Sequence, residues 1–219
     1  MPTIAILPVK SFEDAKQRLA DELSAGIRRV LAEAMFSDVL VALRRARSIE
    51  EIVVVSSDPA AQQIAGGYGA QVLDDHQEGH NPAASLGIAW ALETDAERVL
   101  LVPGDCPMLV PAQVDELCAR PAPPPSALIV PDRHGTGTNA LLLTPPDALA
   151  PSFGPDSCHR HASDAVAAGT AYEIVEVPSL ALDIDTYEDL SELQAALAEA
   201  HGGAAHTRGM LRQLIRSGS

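Results

Sequence analysis

The chain has 219 residues, enough for one substantial core and best read as a single α/β domain. Hydrophobic residues make up 47% but aromatic ones only 3%, so the core must be built from Ala, Val, Leu and Ile, as in a parallel sheet flanked by helices. A net charge of −15, from 30 acidic and 15 basic residues, argues against a nucleic-acid surface, and no apolar run approaches the ~20 residues of a membrane span.

The N-terminus, Met1-Pro2-Thr3-Ile4-Ala5-Ile6, lacks the charged-then-apolar pattern of a secretory signal, and Thr3 to Pro8 reads directly as a strand. Three cysteines without metal-ligand spacing (Cys106, Cys118, Cys158) suit buried, reduced thiols, so a soluble cytoplasmic protein is expected. After this strand comes a polar stretch from Val9 to Leu23 carrying Lys10, Lys16 and Arg18. Three cations just past a strand end suit a polyphosphate, although a solvated surface would read the same way. A long helix follows Ser24, with Ile27, Leu31, Met35 and Val39 on one face.

Glu51 to Ser56 is the second strand. Asp58 and Pro59 then start a helix as N-cap and first residue, while Ser56 and Ser57 could face a base or ribose. Gln71 to Leu73 is a third, short strand, followed by a loop of His76, Gln77, Glu78 and Gly79 and a helix from about Asn81 to Thr94. Arg98 to Pro103 is the fourth strand. It ends in Gly104-Asp105-Cys106-Pro107, which should project the Asp105 carboxylate from the strand end. Such a carboxylate suits a hard cation, since Mg²⁺ commonly takes one or two carboxylates plus substrate phosphates. Pro111 starts the next helix.

Beyond the proline-rich connector Pro121 to Pro125, Ala127 to Val130 and Asn139 to Leu143 are strands, with Gly135-Thr136-Gly137-Thr138 between them. A second glycine cluster, Phe153-Gly154-Pro155-Asp156-Ser157, leads into a helix from Cys158 to Ala168, with Ser157 as N-cap and Gly169 past its end. Glycine lets backbone approach a ligand, and a helix start offers free N–H groups, so the pair suits an anion as well as two ordinary turns. Tyr172 to Val177 is a further strand, and Leu180 to Ile184 continues extended. Alternation would then put Asp183 and Asp185 on one side. Thr186 and Asp189 have capping-box spacing ahead of the last helix of the domain, so either aspartate could instead be structural.

Strand–helix alternation in the first half implies right-handed crossovers and a doubly wound, mainly parallel sheet, mixed in its second half. The basic tail, residues 201–219, places Arg208, Arg212 and Arg216 opposite Leu211, Leu214 and Ile215. It is expected to dock on the body or on a second subunit; the latter would make a homodimer. The chain has no G-x-S-x-G turn, P-loop, G-x-G-x-x-G fingerprint or H-E-x-x-H helix. What remains is a metal-dependent transfer between anions, which needs positioning and charge neutralisation more than a base.

Taken together, Pro8-Val9-Lys10 with Ala15 to Leu19, Met35 to Leu40, Gly137-Thr138-Asn139, Phe153 to Ser157 and Leu180 to Asp185 resemble the phosphoenolpyruvate and 2-phospho-L-lactate guanylyltransferases of coenzyme F-420 biosynthesis. The likeness runs from Thr3 to about Leu193 and departs at Pro82, although Asn81 is kept. It implies that residues 1–200 form one nucleotidyltransferase domain of the glycosyltransferase-A type. It also implies that a phosphorylated three-carbon acid attacks the α-phosphorus of GTP and releases pyrophosphate. By the same resemblance, Thr138, Gly154 and Ser157 would hold the acid. Asp105 with Asp183 or Asp185 would bind Mg²⁺, Lys10 and Lys16 would contact the GTP phosphates, and Asn81 the nucleotide. The competing expectations are a nucleotidyltransferase for another phosphorylated acceptor, such as a molybdopterin or sugar phosphate, and a non-catalytic nucleotide-binding domain.

Overall fold

A computed structural model describes residues 3–75 and 79–217; Met1, Pro2, His76, Gln77, Glu78, Gly218 and Ser219 lie outside it. Seven strands, β1 (Thr3–Pro8), β2 (Ile49–Val55), β3 (Gln71–Leu73), β4 (Arg98–Leu101), β5 (Ser126–Pro131), β6 (Thr138–Thr144) and β7 (Ala171–Ile174), form one sheet in the order β3-β2-β1-β4-β6-β5-β7. Only β6 runs against the rest. As expected, the sheet is mainly parallel and doubly wound. The reversal of β6 brings its first residues, Thr138 and Asn139, to the edge where the parallel strands have their carboxyl ends.

Alternation along each strand splits the core into two layers. Ala5 and Leu7 of β1 face one side together with Val54, Leu100, Leu128 and Leu142. This side is covered by α1 (Ala25–Arg45), α2 (Pro59–Gly67) and α4 (Pro111–Ala119). Ile4 and Ile6 face the other side, under α3 (His80–Glu93) and α5 (Ser157–Ala168). A Cβ at Gly87 would lie 2.4 Å from Ile6 Cγ2, so α3 can rest this close to β1 only with glycine there.

The long helix α1 does not bury the single face expected of it. Phe36, Val39, Leu40 and Leu43 pack on the sheet, whereas Ile27, Leu31 and Met35 pack away from it against α6 (Tyr187–Glu199) and α7 (Ala205–Ser217). A helix lying between two layers is apolar on both sides, and one stripe cannot describe it. The tail helix α7 thus docks on the body. Met210 and Leu211 join the α1–α6 cluster, and buried Asp38 of α1 accepts the His206 and Thr207 N–H groups at 3.0 and 2.8 Å. None of the described helices is long and apolar enough to cross a membrane.

Two expected strands are shorter: β4 stops at Leu101 and β7 at Ile174. Leu180 to Ile184 is not a strand. Pro178–Leu180 is a single 3-10 turn, started by a proline that has no N–H to offer a ladder, and irregular chain follows. Its carbonyls serve other partners: Leu180 O accepts from Asn139 Nδ2 at 2.7 Å, and Ala181 O from the Arg133 N–H at 2.8 Å. The capping box at α6 is present, with Thr186 as N-cap and Asp189 completing it.

Candidate active site

The strand order reverses between β1 and β4, and ligands of open α/β sheets sit at such a point, beyond the carboxyl ends. A cavity of about 410 Å³ opens there. Lys10, Lys16, His80, Asp105 and Asp185 line it. A larger recess of 630 Å³ lies at the opposite edge of the sheet, between Arg44, Glu50, Glu51 and Asp95, far from every candidate cluster.

Lys16, in the loop after β1, occupies the left-handed region, with φ 56° and ψ 40°. Its ammonium is nearly buried, donates to Asp105 Oδ2, and lies 3.0 Å from Asp185 Oδ1. Burial works to lower the lysine pKa, but the two carboxylates outweigh it and push it up, so Lys16 stays charged. The exposed Arg18 reaches the other oxygen of Asp185 at 3.8 Å. Lys10 is exposed at the cavity mouth and makes no ion pair among the described residues, so its ammonium is available to an incoming anion.

Asp105 Oδ1 is buried and has no hydrogen-bond partner among the described residues. Asp183 is held by Asn139 Nδ2 at 3.1 Å. Burial, and then the nearby Asp105 charge, raise the Asp183 pKa. Carboxylates that repel one another, together with an orphaned buried oxygen, fit a hard divalent cation. No group of three His, Cys, Asp or Glu side chains forms a metal cage among the described residues. Mg²⁺ commonly takes one or two carboxylates and completes its shell with water and substrate phosphates.

Across from these carboxylates lies the second cluster. Ser157 is the first residue of α5 and not its cap; Asp156, with φ 58°, stands at the cap position without a side-chain cap bond. The Ser157 hydroxyl instead accepts the Thr138 N–H at 2.9 Å, a donor that β6 leaves unpaired at its irregular junction with β5. Gly154 has φ 128°, a conformation that favours glycine, and shapes the turn into α5. Arg160 wraps this turn, donating to Ser152 O and Pro155 O.

Two of the expected nucleotide contacts have other duties. Ser56 is fully buried, and its hydroxyl accepts the Asp58 N–H at 3.1 Å, within the cap of α2. Asn81 spends both amide atoms on the Phe153 backbone, accepting its N–H at 2.7 Å and donating to its O at 3.1 Å. It thereby ties α3 to the Gly154 turn.

Sequence reasoning passed over Asn139, His161, Arg133 and His80. His161, one helical turn after Ser157, bonds Thr138 Oγ1 at 2.9 Å through Nδ1; that i, i+4 spacing was a readable signal. Arg133 joins the β5–β6 loop to α6 through Asp189 at 2.7 Å, with Glu188 and Glu192 beside it. His80 stacks edge-on against Phe153, which stacks in turn against His161. These contacts join the cavity to the Thr138 cluster.

Comparison with known proteins gives the fold and the family. A nucleotidyl transferase of Methanothermobacter thermautotrophicus shares the fold, with a TM-score of 0.64, 16% identity, and coverage of 90% of this chain and 97% of the other. The phosphoenolpyruvate guanylyltransferase of Conexibacter woesei is 56% identical over 219 residues, 99% of this chain and 98% of its own. The 3-phospho-D-glycerate guanylyltransferase of Colwellia psychrerythraea is 35% identical, over 90% of this chain and 93% of its own. The family model described as guanylyl transferase CofC like matches residues 3–217, running through α7 and well past the motifs that end near Leu193. The chain belongs to the CofC-like guanylyltransferases.

Proposed function

We propose that this guanylyltransferase moves GMP from GTP onto the phosphate of phosphoenolpyruvate, in the cytoplasm and in the service of F-420 biosynthesis. One observation carries the reading: adjacent residues of β6 serve both halves of the site. Thr138 meets Ser157, while Asn139 holds Asp183, so an acceptor at the hydroxyls lies beside the carboxylates. The 56% identical relative bears the name of the same reaction.

An acceptor phosphate oxygen forms a bond to the α-phosphorus of GTP. The bond from that phosphorus to the bridging oxygen of the β-phosphate breaks, and pyrophosphate leaves. A phosphate monoester has a second pKa near 6 and is already mostly a dianion, so no side chain has to deprotonate it. The reaction therefore requires neither a serine triad nor a poised base. Lys10 and Lys16 neutralise the triphosphate, with Arg18 at the rim, and this local charge offsets the net −15 of the chain. Asp105, with Asp183 or Asp185, would hold Mg²⁺, which supplies charge stabilisation on the phosphate oxygens. Thr138, Ser157 and the Gly154 turn orient the acid.

The test is pyrophosphate release from GTP and Mg²⁺ with phosphoenolpyruvate, 2-phospholactate, 3-phosphoglycerate or no acid, repeated with Asp105→Asn. Release that requires phosphoenolpyruvate and is lost in a folded Asp105→Asn protein is expected. Dependence on another acid would reassign the acceptor, and near-normal turnover of Asp105→Asn would remove it from the metal site.

A further inference from the structure

His161 is completely buried, and both of its ring nitrogens are engaged. Nε2 lies 3.0 Å from the Ser152 backbone nitrogen. An amide N–H only donates, so Nε2 must be the unprotonated nitrogen, and the single proton of the neutral ring is left on Nδ1. Burial, reinforced by neighbouring Arg160, lowers the pKa to about 4, so the ring is neutral under ordinary conditions. Nδ1–H then points at Thr138 Oγ1, 2.9 Å away, and the threonine oxygen accepts. A hydroxyl that accepts from a fixed donor has its own hydrogen free to donate elsewhere.

The same logic holds at Ser157, whose oxygen accepts the Thr138 N–H and whose hydrogen is likewise left over. Two neighbouring hydroxyls are thus committed as acceptors, each with a hydrogen left to donate, the polarity that an anion requires. We propose that His161 is a positioning residue for the phospho-acid: locked as its Nδ1–H tautomer by Ser152, it turns the Thr138 hydroxyl hydrogen toward the acceptor. This rests on the reading above that Thr138 holds the acid. His161 touches no substrate and acts only through Thr138.

The tautomer is read directly by ¹⁵N NMR of the histidine-labelled protein at neutral pH. A protonated Nδ1 with a bare Nε2 at His161 is expected; the opposite tautomer overturns the proposal, whatever the activity. Two substitutions then separate the two nitrogens. The amide nitrogen of His161→Asn can stand in for Nδ1 and should keep the KM for phosphoenolpyruvate within a few-fold of wild type. The side chain of His161→Gln can satisfy Ser152 but not Thr138. It should raise that KM about tenfold to a hundredfold, the weight of one hydrogen bond to a charged group, with the KM for GTP unchanged. Adding Thr138→Val to His161→Gln should cost nothing beyond Thr138→Val alone. Thr138→Val with a normal KM would overturn the acceptor reading itself. A raised KM in Thr138→Val beside a normal one in His161→Gln would overturn the role of His161 only.

Discussion

The ammonium of Lys16 lies 3.0 Å from Asp185 Oδ1 and also donates to Asp105, so one lysine joins the loop after β1 to the carboxylates beyond β4 and before α6. Lys16→Met leaves those carboxylates facing one another without their buried counter-charge. Because Asp105 and Asp185 are partly solvated, the expected loss is about 1–3 kcal/mol, below that for a fully buried pair. Mg²⁺ should restore more stability to the variant than it adds to wild type. Thermal unfolding with and without Mg²⁺ checks this, and an unchanged melting temperature contradicts it.

Asp183→Asn should melt above wild type at pH 7 while losing turnover. The Asp183 carboxyl has a folded pKa above its ordinary 3.8, raised by burial and by Asp105. Such a group binds its proton more tightly when folded, so its contribution to stability is lost as the pH climbs above that value. The asparagine should therefore gain at neutral pH, and the gap should close as the pH approaches 4. Melting curves across this range decide the point; a variant less stable at pH 7 speaks against it.

His161 gives the opposite slope. Its pKa falls from 6.5 to about 4 on folding, through burial and then Arg160. The unfolded chain thus binds the extra proton first, and stability present above pH 6.5 drains away as the pH falls toward 4. The whole effect is on the order of 3 to 3.5 kcal/mol. Denaturant titrations should show His161→Asn with a shallower fall than wild type over this window, and parallel curves would refute the assignment.

Asp38→Ala should loosen α7. The carboxylate accepts two N–H groups at the start of that helix, and removing such a cap costs about 1–2 kcal/mol. Limited proteolysis should cut variant chains near residues 201–206 before any other site. Equal cleavage of variant and wild type would show that the apolar contacts of Met210 and Leu211 suffice alone.

The parallel half of the sheet was legible because each strand is a short apolar run set off by a helix, with a readable start at Asp58-Pro59. The strand-end placement of three candidates was legible too, since Lys16 and Asp105 follow β1 and β4 and Thr138 begins β6, all at one edge. Their pairings were not. Lys16 reaches Asp185 across 169 residues, and nothing local encodes that. Nor were the structural duties of Asn81 and Ser56 readable: the two amide bonds of Asn81 go to Phe153, 72 residues away, and the burial of Ser56 depends on the neighbouring strands. Likewise, the double-sided burial of α1 follows from the docking of α6 and α7, which the pattern of α1 alone does not specify.

The most direct test follows the label. Wild-type protein is given Mg²⁺, phosphoenolpyruvate and GTP carrying radiolabel on either the α- or the γ-phosphorus, and the products are separated. The account predicts α-label in a product that also contains the three-carbon acid, and γ-label only in pyrophosphate. Label from the γ-position on the acid, or α-label that never leaves GTP in the presence of any of the three acids, would contradict it.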